Sequence, residues 1–165
     1  MITDFPISFT KNNVGSILKF WFIPIDEIDI EPEIYNLTLM GDYTFLNQLA
    51  LRTGYFDKDT AVYDNSDATN KSGSLRKNNL SASISDASPE LDSLFCEMKC
   101  KRFIVFFADN NKNVRVLGRK NEGAFFEFSF TSKENRKDAP IYSFKFYTET
   151  SCVLPITTTQ ITEVC

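Results

Sequence analysis

The chain has 165 residues, with 18 basic and 22 acidic side chains and no histidine. That length suffices for one domain with its own core, and the net charge of −4 argues against a protein built to grip a polyphosphate on a basic face. The missing histidine excludes Ser-His-Asp and Cys-His catalysis and every imidazole metal site.

The residues before the first strand, "MITDFPISFTKNNVG", are polar and turn-rich, and read as an arm over 1–15. They lack the basic-then-apolar order of a secretory leader, so the expected place of synthesis is a cytoplasm. "ILKFWFIP" follows, apolar except at Lys19, which suits a strand covered on both faces. In "IDEIDIEPEI", Glu27, Asp29, Glu31 and Glu33 alternate with Ile28 and Ile30, and Pro32 confines the segment to an edge or loop. It reads as a solvated acidic connector. "LTLM" and "TFLNQLAL" are further short strands, the second equally compatible with a helical turn.

Residues 54–84 read as a long β-hairpin joining 54–64 to 74–84. Its expected tip, "DNSDATNKSG", is full of turn formers, and in the second arm Leu80, Ala82 and Ile84 share one face. With so little apolar surface the hairpin is expected to project rather than cover a core. A helix over 89–99 is well signalled. Ser88 can cap it, Pro89 suits its first position, and Leu91, Leu94, Phe95 and Met98 form one apolar stripe.

"FIVFFADNNKNVRVLG" then gives a strand apolar on both faces, an Asn-rich tight turn and a returning strand. In "AFFEFSFT", Phe126, Phe128 and Phe130 alternate with Glu127, Ser129 and Thr131. In "IYSFKFYTE", Tyr142, Phe144 and Phe146 alternate with Ser143, Lys145, Tyr147 and Glu149. The remainder, 151–165, is a polar, β-prone tail. The fold expected is mainly β: one domain over 1–165, a β-sandwich or flattened barrel with one packed helix and the projecting hairpin.

Little chemistry is left to assign. Cys96 and Cys100 lie close, but Cys152 and Cys165 flank "VLPITTTQITEV", unlike the two close pairs of a structural zinc site, so reduced thiols are the reading and no metal or cofactor is expected. Paired carboxylates, Asp57 with Asp59 or Asp26 with Glu27 and Asp29, lie in polar segments where nothing separates their pKa values, so no catalytic residue is assigned. The basic patches "LRKNN", "KCKR" and "GRK" are scattered, and read as solvated surface or as ion-pair partners between subunits. No segment reaches the ~20 apolar residues of a bilayer span, so no membrane partner is expected. What stands out is backbone: long amphipathic strands and polar extended termini leave edges that a monomer would expose to aggregation and a self-assembling protein would use.

"RFIVFFADNNKNVRVLG", "GAFFEFSF" and "DAPIYSFKFYTE", with the helix just before the central strand, resemble the tail-tube proteins of bacteriophages, especially those of Bacteroidetes phages and prophages. "VGSILKFWFIPIDEI" is similar to the strand that opens them. The resemblance implies a non-enzymatic virion protein, assembled in the host cytoplasm, whose subunits form rings, commonly six-fold. These rings stack into a conduit that DNA traverses without specific binding, in contact with other tail or neck proteins. It implies that the hairpin joins neighbouring subunits, which makes Tyr55, Phe56, Lys58, Tyr63, Leu75, Arg76, Lys77 and Leu80 candidate contact residues. A neck, stopper or baseplate component of the same particle, and a β-barrel holding a small apolar ligand, are the alternatives.

Overall fold

The computed structural model describes residues 17–35, 38–47, 51–70, 73–85, 88–109, 113–132, 140–150 and 156–157. In chain order its strands are β1 (Ile17–Pro24), β2 (Ile28–Ile30), β3 (Glu33–Tyr35), β4 (Thr38–Met40), β5 (Thr44–Phe45), β6 (Arg52–Thr53), β7 (Val62–Asn70), β8 (Gly73–Ile84), β9 (Arg102–Asp109), β10 (Val114–Leu117), β11 (Ala124–Thr131), β12 (Ile141–Thr150) and β13 (Ile156–Thr157). One α-helix, α1 (Pro89–Met98), separates β8 from β9, and a single 3-10 turn spans Ile25–Glu27.

The architecture turns on β9. One of its edges pairs antiparallel with β1, from Pro24↔Phe103 to Ile17↔Asp109. The other pairs with β10 over Val105–Ala108, then with β11 at Arg102 and Phe103. Beyond that junction β11 leaves with β12, β8 and β7, in that order, as a second layer facing the first. β13 and then β4 and β3 extend the first layer past β10. The molecule is therefore mainly β, an open sandwich with one packed helix, as the alternation of apolar residues implies.

Apolar faces decide where the layers meet. Phe103, Val105 and Phe107 of β9 join Phe20 and Phe22 of β1 in the main core, against Phe126, Phe144, Phe146, Leu80, Ala82 and Ile84. Phe20 alone has ring partners at 5.8–6.2 Å in Phe22, Phe56, Phe144 and Phe146. The opposite face of β9, Ile104 and Phe106, meets Trp21, Ile23, Ile28, Tyr43 and Val116 in a second, smaller core. A strand apolar from Phe103 to Ala108 is thus buried on both sides, the outcome its sequence implies.

Helix α1 follows its signals closely. Ser88 Oγ accepts from Leu91 N at 3.3 Å, and Leu91, Leu94, Phe95 and Met98 are the buried positions. Phe95 packs at 5.2–5.6 Å from the rings of Phe126, Phe128, Tyr142 and Phe144, which seals one end of the sandwich. The β9–β10 turn is closed by Asp109, whose Oδ1 accepts from Asn113 N at 2.9 Å while its own N–H donates to Asn113 O at 3.0 Å; residues 110–112 lie outside the described residues. Gly118 ends β10 with φ +90°, where a Cβ would fall 2.6 Å from Phe103 O, so only glycine fits.

Three expectations need correction. The acidic connector is not simply solvated. Glu27 takes both guanidinium nitrogens of Arg52 at 2.8 and 2.9 Å, and Glu31, largely buried, pairs with Arg119 at 3.3 Å. These bonds pin the 25–46 excursion over the second core. "TFLNQLAL" yields only the two residues of β5 among the described positions. The hairpin differs most. Its first arm begins at Val62, not at 54, and runs as paired strand to Asn70 opposite Gly73, straight through the turn-former stretch. Leu80, Ala82 and Ile84 are core residues, because β8 pairs on its second edge with β12 from Ile84↔Tyr142 to Arg76↔Thr150. Only the rungs Ala68↔Leu75, Thr69↔Ser74 and Asn70↔Gly73 pass the end of β12. The N-terminal arm lies outside the described residues, as does the tail except for β13, which pairs with β10.

Candidate assembly surface

Strands β11, β12, β8 and β7 form a continuous antiparallel ribbon. Period-two alternation gives it two unlike faces. The inner face carries Phe126, Phe144, Phe146, Leu80 and Tyr63 toward the core. The outer face is built of rungs: Phe125, Tyr147, Asn79 and Asp64; then Glu127, Lys145, Ser81 and Val62; then Ser129, Ser143 and Ser83, with Glu149, Lys77 and Ser66 at the other end.

Charges on that outer face are satisfied across strands. Lys145 Nζ lies 2.9 Å from Glu127, whose other oxygen accepts from Tyr147 OH at 2.9 Å, and Lys77 pairs with Glu149 at 3.1 Å. Donation by Lys145 and Tyr147 holds the Glu127 carboxyl below its ordinary value, and the same bond raises the Tyr147 phenol. Phe125 is stacked on Tyr147 at 5.1 Å, with the Arg102 guanidinium 3.3 Å from its ring centroid. The face is mostly polar, with Phe125 and Val62 exposed on it, and its Glu127–Lys145 and Glu149–Lys77 charges are paired.

Among the described residues the ribbon has two open edges. Among these residues β7 pairs only with β8; its sequence, "VYDNSDATN", holds no Lys or Pro, and its charges are Asp64 and Asp67. β11 is paired with β9 only at Ala124 and Phe125, which leaves Phe126–Thr131 unpaired on that side among the described residues. Exposed apolar side chains lie at both: Val62, 50% exposed, on β7 and Phe130, 49% exposed, on β11.

The inner face changes character one rung beyond Leu80 and Phe146. Asn78 and Thr148 are cross-strand partners there and both are buried, with Tyr63 OH donating to Asn78 Oδ1 at 2.8 Å. Among the described residues Asn78 Nδ2 and Thr148 Oγ1 have no hydrogen-bond partner. The core therefore ends at this rung, and the ribbon continues past it.

The candidate contact residues divide accordingly. Phe56 stacks on Phe20 at 5.8 Å and Leu80 is 2% exposed, so both belong to the core of this chain. Tyr55 and Tyr63 pack partly against the same core; Tyr55 OH donates to Asp57 at 3.3 Å, and burial raises the phenol pKa of Tyr63. Lys58 is exposed in the turn after Asp57, and Lys77 is exposed on the outer face. Leu75 and Arg76 are half-buried near the tip. Asp57 and Asp59, weighed as acids, belong to that turn: Asp57 Oδ2 accepts from Ser85 N at 2.7 Å, and Asp59 takes φ 62°. Asp26 and Asp29 are exposed. The scattered basic residues find partners within the chain, such as Lys120 Nζ on Asp29 O at 2.7 Å and Lys101 on Glu97 at 3.5 Å. Sequence reading missed the open edge of β11. Its signal was Phe130, a third aromatic residue in the alternation of β11, which packs on Tyr142 yet stays 49% exposed.

Among the described residues no cluster of three or more Cys, Asp or Glu side chains could hold a metal ion, and no helix is long and apolar enough to cross a membrane. A comparison with protein-family models found no match, and neither did comparisons with curated proteins and with solved structures.

Proposed function

We propose that this chain is a non-enzymatic structural subunit of a bacteriophage tail, whose four-stranded ribbon pairs edge to edge with copies of itself to wall a ring that DNA traverses. The observation that carries the reading is the ribbon's pair of open edges. Because it has four alternating strands, β7 and β11 run in opposite directions. Copies can then be added by one repeated rotation, each junction an antiparallel pairing of β7 on one copy with β11 on the next. Such a contact is heterologous, and it closes into a ring when the repeated rotation completes a full turn.

The stagger of the two edges suits closure. Ser66 shares a rung with Lys77 and Glu149, whereas Ser129 shares one with Ser143, six residues away along β12. Pairing Ser66 with Ser129 keeps both outer faces on the same side. It shifts the strands by about 20 Å for about 19 Å of ribbon width, a tilt of roughly 45°, at the upper end of the 35–45° usual in β-barrels. The sandwich body then lies outside, and the polar outer face lines the lumen. Cross-strand charge pairs there leave little net field to hold phosphate.

The resemblance in the second half of the chain supplies the particle, the expectation of six-fold rings and the other tail or neck proteins as partners. Native mass spectrometry and electron microscopy of the concentrated protein test the proposal. Closed homo-oligomers of one ring size are expected, and a chain that stays monomeric at high concentration refutes it.

A further inference from the structure

Two thiols sit four residues apart on α1 and its final turn. Cys96 and Cys100 are both free and exposed, on the side opposite the buried Leu91, Leu94, Phe95 and Met98. Their platform is fixed. Phe95 and Met98 are fully buried, and the turn carrying Cys100 is bonded on both sides of it, Lys99 N to Phe95 O at 3.1 Å and Lys101 N to Met98 O at 3.0 Å.

Cys100 follows the C-cap Lys99, which keeps helical backbone angles (φ −56°, ψ −28°), so its Cβ stays one helical turn, about 5–6 Å, from that of Cys96. A disulfide needs roughly 3.5–4.5 Å between them, so an intact helix keeps these sulfurs from bonding to each other. A thiolate–metal–thiolate bridge, with metal–sulfur bonds of about 2.3 Å, spans the gap. No imidazole exists in the chain, and the Glu97 carboxylate between the two cysteines is paired with Lys101. The donor set is therefore two soft sulfurs, which selects a cation content with two thiolates.

We propose that Cys96 and Cys100 form a bidentate site for a soft, two-coordinate cation, monovalent copper being the physiological candidate. Each S–H gives its proton to solvent as the S–Cu bond forms, and neither sulfur nor copper changes oxidation state.

The test uses the full chain with Cys152→Ser and Cys165→Ser, titrated without oxygen with Cu(I) against a chromophoric Cu(I) chelator. One copper per chain is expected to be withheld from the chelator. Cys96→Ser and Cys100→Ser should each weaken retention by about 10²-fold or more, because one thiolate loses the chelate advantage. Both positions are exposed, so the variants should keep the parent circular dichroism spectrum. Retention unchanged in either variant, or no retention in the parent, overturns the site. So does a 96–100 disulfide that forms in air with the helix intact.

Discussion

Replacing Thr148 by valine should make the protein more stable, although Thr148 is a buried polar residue near the end of β12. The residue is 6% exposed, and its hydroxyl has no partner among the described residues. Such an orphaned group carries a desolvation penalty of about 1–3 kcal/mol. Valine has nearly the same shape, suits a strand equally well and removes the group. The expected gain is therefore about 1 kcal/mol or more, and a chain of this length converts each kcal/mol into roughly 2–4 °C of melting temperature. Urea titration followed by circular dichroism reads it as a higher midpoint at unchanged slope. Asn78→Leu is the contrast. It removes the other orphan but strands the Tyr63 hydroxyl that now donates to Asn78, so it should give no comparable gain. A Thr148→Val protein that melts lower than the parent would mean that the hydroxyl is satisfied, and would refute the view that the core ends at an incomplete polar rung.

Leu80→Ala should destabilise the monomer by about 2–5 kcal/mol, since it empties a fully buried site; a loss confined to oligomerisation would return Leu80 to the interface. Gly54→Ala should cost about 3 kcal/mol or more in chemical denaturation, because its Cβ would overlap the ring of Phe20, itself held by four other rings. The Tyr43 phenol is raised above its ordinary 10.0, first by burial and then by the Glu31 charge. The stability it confers is complete below about pH 10 and declines as pH rises above that, because only the unfolded chain ionises there. Tyr43→Phe should flatten that alkaline decline, and an unchanged pH profile would place the sensitivity elsewhere.

Where local and tertiary signals agreed, the fold was legible in advance. Ser88 and Pro89 mark the start of α1, Phe126 and Phe144 mark the inner faces of their strands, and the two-faced apolar run of β9 requires two cores. The hairpin was misread because "DNSDATN" favours turns on its own. Pairing along the whole length of β8 outweighs that propensity, as β-preference depends on the neighbouring strand more than on the residue. Sparse apolar content also hid the burial of Leu80, Ala82 and Ile84, which needs only β12 alongside to become core. Ion pairs such as Glu27 with Arg52, 25 residues apart, have no local signature. Of the assembly surface, only the general expectation that strand edges seek partners was legible, because Asp64–Asn70 of β7 read as a turn. The open half of β11 depends on where β9 stops pairing, which only the topology reveals.

The edge-to-edge ring is tested most directly by cross-linking its junction. In a chain with all four native cysteines changed to serine, Ser66→Cys and Ser129→Cys introduced together should form disulfides between copies under mild oxidation. The products should be a ladder of oligomers ending at one closed ring size, with neither single substitution giving more than dimers. Monomers that retain both free thiols at concentrations where the parent protein is oligomeric, or cross-links equally efficient from unrelated outer-face positions, would contradict the pairing of β7 with β11.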